Sequence, residues 1–257
     1  SHKNSSMKKH IFPVLTMCAA TAVLLTAAAC APYDYSDRLS EVRSDLFIAE
    51  TEDFTLTLAC VEREYPYADD GIPCPMTKSV QITLAPAGTP ADEVTISVGE
   101  GAAQWGGDAS FRTAYGDFYL SQGVDAFPEG SVNVTVTYGG TEHTLAATSV
   151  KNEETHSPGE ALAKGIAAEK ETMERMRKNG VFCGELCVRL LRRDKNYYYF
   201  AITDGTERIS LLLDGETGEV LLSGAECTPA NENLRLGAVR VIPASRRLLV
   251  FEWQMEG

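Results

Sequence analysis

The sequence predicts a mainly β protein with one α+β module. An immunoglobulin-like β-sandwich is expected over residues 45–150, then a helix packed on an antiparallel sheet over residues 158–227. Three observations carry this. Four runs alternate apolar and polar residues with period two: Phe54/Leu56/Leu58, Val80/Ile82/Leu84, Val94/Ile96/Val98 and Val132/Val134/Val136. One stretch, Leu162, Ile166, Met173 and Met176, has helical spacing. Apolar runs then return at residues 186–191, 197–202, 209–213 and 220–222.

The first four runs are rich in β-branched residues, as half-buried antiparallel strands require. Turn signals separate them: Asp69-Asp70-Gly71, Ala87-Gly88-Thr89-Pro90, Gly106-Gly107-Asp108 and Gly139-Gly140. The Cys…Trp…Cys pattern of antibody domains is missing from this region. Residues 151–157 read as a polar linker. Ser157-Pro158-Gly159-Glu160 is a capping box with proline at the first helical position, and Asn179-Gly180 is expected to end the helix. The returning strands are punctuated by Asp194-Lys195-Asn196, Asp204-Gly205 and residues 214–218. Tyr198 is expected to pack with Phe200 and Ile202. Tyr197 and Tyr199 then fall on the opposite face, as a binding surface or as the second side of a covered sheet.

Upstream of residue 45 the chain reads as an address. Met7 is the expected start, with Ser1–Ser6 upstream of it. Lys8 and Lys9 precede an apolar run from Ile11 to Leu25, and small residues lead to Cys30. That is the layout of a secretory signal peptide; the alternative is a membrane-spanning anchor. Leu25-Thr26-Ala27-Ala28-Ala29-Cys30 resembles a bacterial lipobox, with Ala27 where leucine is usual. The resemblance implies cleavage before Cys30, a diacylglyceryl group on that cysteine, and attachment to the extracytoplasmic face of the cell membrane. Residues 30–44 would then be a tether. The whole chain also resembles lipoproteins of Gram-positive anaerobes.

Residues 158–223 resemble PepSY-type and cystatin-like modules, on the hairpin Leu213, Asp214, Thr217, Gly218, Glu219 and Val220 behind a tyrosine-rich strand. The resemblance implies a role in restraining or assisting secreted peptidases. Residues 228–257 change character. Arg235, Arg240, Arg246 and Arg247 come with no acid between Leu234 and Phe251, and Leu249 to Trp253 suggest a last strand. An altered reading frame is the alternative for this segment.

Removing residues 1–29 takes away Lys3, Lys8 and Lys9 and no acid. This leaves 20 basic against 36 acidic residues, a formal charge of −16. Such a balance argues against nucleic acid and against polybasic docking on anionic lipid. Cys60 and Cys74 flank a proline-containing loop and are candidates for a disulfide in an oxidising compartment. Cys183 and Cys187 lie on one strand, too far apart to bridge each other, and either is a candidate partner for Cys227. The cysteine spacing does not fit structural zinc, so no metal and no cofactor is expected.

No nucleophile elbow, zinc-protease, phosphate-loop or dinucleotide motif occurs, and no catalytic residue is assigned. His143 is expected in a strand and His156 in the linker. The segment Glu62-Arg63-Glu64-Tyr65-Pro66-Tyr67 with Asp69 and Asp70 groups acids and aromatics. It reads as an exposed loop, or as a site for a glycan or a weakly held cation. The binding candidates are therefore Tyr65, Tyr67, Asp69, Asp70, Tyr197 and Tyr199. The expected role is a non-catalytic interaction module of the cell envelope, with an envelope protein or glycan as partner. The alternatives are a hydrolase acting through carboxylates and a regulator of a secreted peptidase.

Overall fold

A computed structural model describes residues 34–227 except Asp69, Ala102 and Ala103; for Glu226 and Cys227 only the backbone is described. Cys30, the signal segment and residues 228–257 lie outside it. The body is mainly β, with one large, mostly antiparallel sheet nearly closed into a barrel and a helix packed on its extension.

The closed part uses nine strands. β1 (Leu39–Glu50), β2 (Phe54–Glu64) and β3 (Met76–Pro86) form a meander. β7 (Asp117–Gly123) follows β3 in the sheet, edged by β6 (Ser110–Arg112). β4 (Val94–Val98) pairs with β5 (Trp105–Asp108) and β8 (Ser131–Tyr138), and β8 pairs with β9 (Thr141–Ser149). The far end of β1 pairs with β9, and β5 approaches β7 on the other side. All four alternating runs point inward. Leu56, Leu58, Ile82, Leu84, Ile96, Val134 and Val136 share one core with Phe47, Phe54 and Phe118. The third glycine signal behaves differently from expectation. Gly106 and Gly107 sit inside β5 and make no turn. A Cβ on Gly106, whose φ is +150°, would stand 2.0 Å from the Ile96 carbonyl oxygen, so the close approach of β5 to β4 requires glycine there.

The extension is a four-stranded antiparallel meander: β12 (Glu185–Arg192), β13 (Asn196–Thr203), β14 (Glu207–Asp214) and β15 (Val220–Cys227). β12 pairs in parallel with the first half of β1, so the extension and the barrel share hydrogen bonds directly. Residues 39–44, expected in the tether, are therefore strand. Their few apolar side chains concealed this, because the face they build is polar.

α1 (Pro158–Ala168) starts on the expected capping box: Ser157 accepts from the Glu160 N–H, and the Glu160 carboxylate accepts from Ser157. It packs on β12, β13 and β14. The helix breaks at Glu169 and resumes as α2 (Lys170–Arg175). Its innermost residues are Ala161 and Gly165, while Leu162 and Ile166 lie at the margin. The reason is the bulk beneath: Tyr198, Phe200 and Ile202 all face the helix side and are fully buried, as expected. Asn179-Gly180 does not cap the helix. Both have positive φ and make the two-residue turn of a small hairpin, β10 (Arg177–Lys178) with β11 (Val181–Phe182). Among the described residues, no helix is long and apolar enough to cross a membrane.

A Cβ on Gly165 would lie 2.4–2.6 Å from the Phe200 ring, and that ring is enclosed. Gly165→Ala should therefore destabilise the fold by about 1–2 kcal/mol, the cost of overpacking exceeding alanine's gain in helix propensity. The urea midpoint checks this; a midpoint at or above that of the wild type would mean the helix is not seated on Phe200.

Candidate functional site

The sequence candidates on β2 and on β13 meet through a residue that sequence reading passed over. Glu41 stands on β1 and is buried. Its register partners are Arg63 on β2 and Cys187 on β12. Arg189, two residues along β12 on the same face, places Nε 2.6 Å from Glu41 Oε1 and donates from Nη2 to Oε2 at 2.9 Å. Arg63 Nε lies 2.8 Å from Oε2. Burial alone would raise the Glu41 pKa. The positive charges of Arg189, Arg63 and Arg43 outweigh it and hold the carboxyl below its usual value.

Each guanidinium also lies near a tyrosine. Arg63 stacks 3.8 Å from the Tyr67 ring centre, and Arg189 sits 5.6 Å from that of Tyr199, its cross-strand partner. The result is a row running Tyr67, Arg63, Glu41, Arg189, Tyr199 across four adjoining strands and the loop after β2. The two arginine side chains keep 31% and 23% of their surface in solvent.

No protein-family model matches the chain, and comparison with curated proteins and with solved structures finds no match.

The other candidates separate into exposed and enclosed. Tyr65 (74% exposed) and Ile72 (69%) stand out from the loop, with Tyr67 partly exposed beside them. Asp70 is exposed, its carboxylate accepting from the Ile72 N–H; Asp69 lies outside the described residues. Tyr197 and Tyr199 do fall opposite Tyr198, but both are buried, because β13 is covered on both sides. They serve as platforms: the Tyr197 hydroxyl donates to Asp194, and its ring underlies Lys195, which pairs with Asp214.

A second cluster lies where the loop folds back. Glu64, buried at the end of β2, accepts from the Cys74 N–H at 2.7 Å and from the Ala68 N–H at 3.3 Å, bracing both sides of the loop. Glu185, at the start of β12, is 1% exposed, and neither carboxyl oxygen has a hydrogen-bond partner among the described residues. Burial, then the charges of Glu64 and Asp70, push its pKa up to about 8, against a lowering pull from the Gly71 backbone. Among the described residues, no three His, Cys, Asp or Glu side chains converge as metal ligands.

Cys60 and Cys74 are free thiols and do not bridge. Cys60 points into the barrel core, where burial pushes its thiol up to about 12. Cys74 is bonded near Glu64, four strand residues, or about 13 Å, further on. Cys183 and Cys187 are likewise free. His143 lies on β9, 3.8 Å from Asp53, and His156 lies 3.9 Å from Glu160 near the helix cap, so neither joins the acidic cluster. Two clefts of about 680 and 390 Å³ occur elsewhere, one along β1 and β9 and one at the barrel mouth beside Trp105 and Phe127.

Glu41→Gln tests the central pair. It leaves two guanidiniums facing each other without their carboxylate and should cost about 2–3 kcal/mol, less than a fully buried pair because both arginines reach water. The Glu41 pKa is depressed by folding, so its contribution is present above the ordinary glutamate value and lost as pH falls through that value and below. Acid denaturation followed by circular dichroism should accordingly be shallower in the variant. An equally steep acid limb would show that Glu41 carries no charge in the fold.

Proposed function

We propose that this chain is a lipid-anchored, non-catalytic binding module of the cell envelope, held to the membrane through Cys30. Its binding face is the row Tyr67, Arg63, Glu41, Arg189, and its ligand is an anionic glycan. One observation carries this reading: two partly exposed guanidiniums are fixed by a shared buried carboxylate and flanked by aromatic rings. Guanidinium forks recognise carboxylate and phosphate groups, and fixing them beforehand reduces the entropy lost on binding. The exposed rings of Tyr65 and Tyr67 suit the flat apolar faces of sugar rings. Elsewhere the chain is strongly acidic, which disfavours an anion at other surfaces.

The immunoglobulin-like reading of residues 45–150 is part of this proposal only as two opposed apolar faces. The strand order has its own character, a β1-β2-β3 meander before the first crossing. The PepSY-like reading draws support from the helix on an antiparallel meander, and with it peptidase regulation stays open. The hydrolase reading is favoured by one observation, the Glu64 and Glu185 carboxyls in unlike environments.

The anchor is tested by the intact mass of membrane-extracted protein. A chain beginning at Cys30 plus a diacylglyceryl group is expected, and Cys30→Ala should stay uncleaved or become soluble. An unlipidated wild-type mass would remove the anchor from the proposal. The face is tested by titration calorimetry of lipid-free Cys30→Ala protein with polyglycerol phosphate and with oligogalacturonate. At least one should bind, and Arg63→Gln should weaken it about tenfold, the loss of one charge-assisted contact. Binding of neither polyanion, with binding of an envelope protein instead, would overturn the glycan assignment.

A further inference from the structure

The loop after β2 approaches the turn between β13 and β14 closely. Gly71 and Gly205 sit against each other's loops. A Cβ on Gly71 would lie 2.8 Å from the Asp204 backbone, and one on Gly205 would lie 2.6 Å from the Asp70 carbonyl oxygen. Gly71 is buried in this contact, although its neighbours Asp70 and Ile72 are exposed. Beneath the loop lies Glu185, enclosed and without a hydrogen-bond partner among the described residues. A buried carboxylate without a cation is far more costly than a buried neutral carboxyl.

The charged groups that act on Glu185 are both acids, and the Gly71 backbone pulls the other way. Glu64 comes from β2, and Asp70 and the Gly71 backbone come from the loop. On β13 its cross-strand partner is the uncharged Thr203, followed by Asp204 in the turn. Arg208 of β14 lies one strand further in the same row, Glu41 of β1 is the next acid along this face, and Lys178 of β10 acts on Asp204. Among the described residues no basic group acts on Glu185 itself.

We propose that the proton on Glu185 is a latch for the loop of residues 65–75, and so regulates the binding face proposed above. With the proton in place, the loop closes over a neutral group and holds Tyr67 against Arg63. When the proton leaves, a buried negative charge on Glu185 is repelled by the charges of Glu64 and of Asp70 in the loop, and the loop is released. The latch rests on the binding-face reading for its purpose, but its operation is measurable without any ligand.

The sign follows from linkage. The folded state keeps a proton that the unfolded chain gives up, so this contribution weakens as pH rises from the ordinary glutamate value towards the folded one, and the loop opens at the alkaline end. Hydrogen exchange of peptides covering residues 65–75 in the lipid-free Cys30→Ala protein, corrected for intrinsic base catalysis, reads it directly. Protection should fall by at least about tenfold between about pH 5 and about pH 8 and level off near pH 8. Glu185→Gln, made in that background, should be flat and protected throughout. Asp70→Asn keeps the acceptor for the Ile72 N–H and removes one repelling charge, so its profile should level off at lower pH with a smaller total fall; it serves also if the Gln variant does not fold. A flat profile in the parent protein, or the same profile in Glu185→Gln, overturns the latch. Titration with polyglycerol phosphate at the closed end separates the two claims. A loop that switches while no polyanion binds leaves the latch standing and sinks the binding reading; binding with a flat loop profile does the reverse.

Discussion

The structure depends on β1 serving two parts of one sheet at once. Its first half pairs in parallel with β12, its last residues pair with β9, and β2 runs beside it throughout. A strand has two edges, so three partners require a change of neighbour along its length. The change happens at Ser44, where a bulge shifts the β1–β2 register between Arg43 and Asp45. Asp45 secures the far side: it accepts from its own neighbour Leu46 and from the Ser149 hydroxyl on β9, and Lys151 lies 3.7 Å away. Without this exchange of partners the barrel and the helix-covered meander would be separate bodies joined by residues 151–157. With it they share a hydrogen-bonded strand.

That sharing explains why two buried glutamates on neighbouring strands hold opposite charge states. Glu41 and Glu185 lie on the same face, with Cys187, the register partner of Glu41, only two residues from Glu185. Glu41 is central, where β2 and β12 each bring an arginine, and cations outweigh burial. Glu185 is at the end of its strand, where the loop brings only acids, and burial is reinforced. The backbone topology decides which neighbours each carboxyl meets. Those neighbours decide whether it is a fixed counter-ion or a held proton.

Much of the strand content was legible because burial on one face leaves period-two alternation in the residues, as in Val94, Ile96 and Val98. The capping box at Ser157 and the inward set Tyr198, Phe200, Ile202 were legible for the same reason: local chemistry determines them. Glu41 was not. Residues 39–44 build a polar face, so they carry no apolar alternation, and their partner β12 is nearly 150 residues away. Asn179-Gly180 misled in a different manner, since positive φ suits both a helix end and a two-residue hairpin, and only the pairing of Arg177 with Phe182 distinguishes them. The candidate tyrosines were found but their roles were not. Exposure of Tyr65 and enclosure of Tyr199 are properties of the assembled sheet.

The charge balance bears on how a ligand would reach the proposed face. At a formal charge of −13 the chain repels polyanions at long range, and the arginine row is already partly neutralised by Glu41. Beyond a screening length of about 8–10 Å at physiological salt, the repulsion is damped. Recognition there depends on contact geometry, two guanidinium planes with aromatic flanks, and long-range attraction has little part. Any such ligand is thus selected by fit at close range, which makes the position of Tyr67, and therefore of the loop that carries it, the controlling variable for the face.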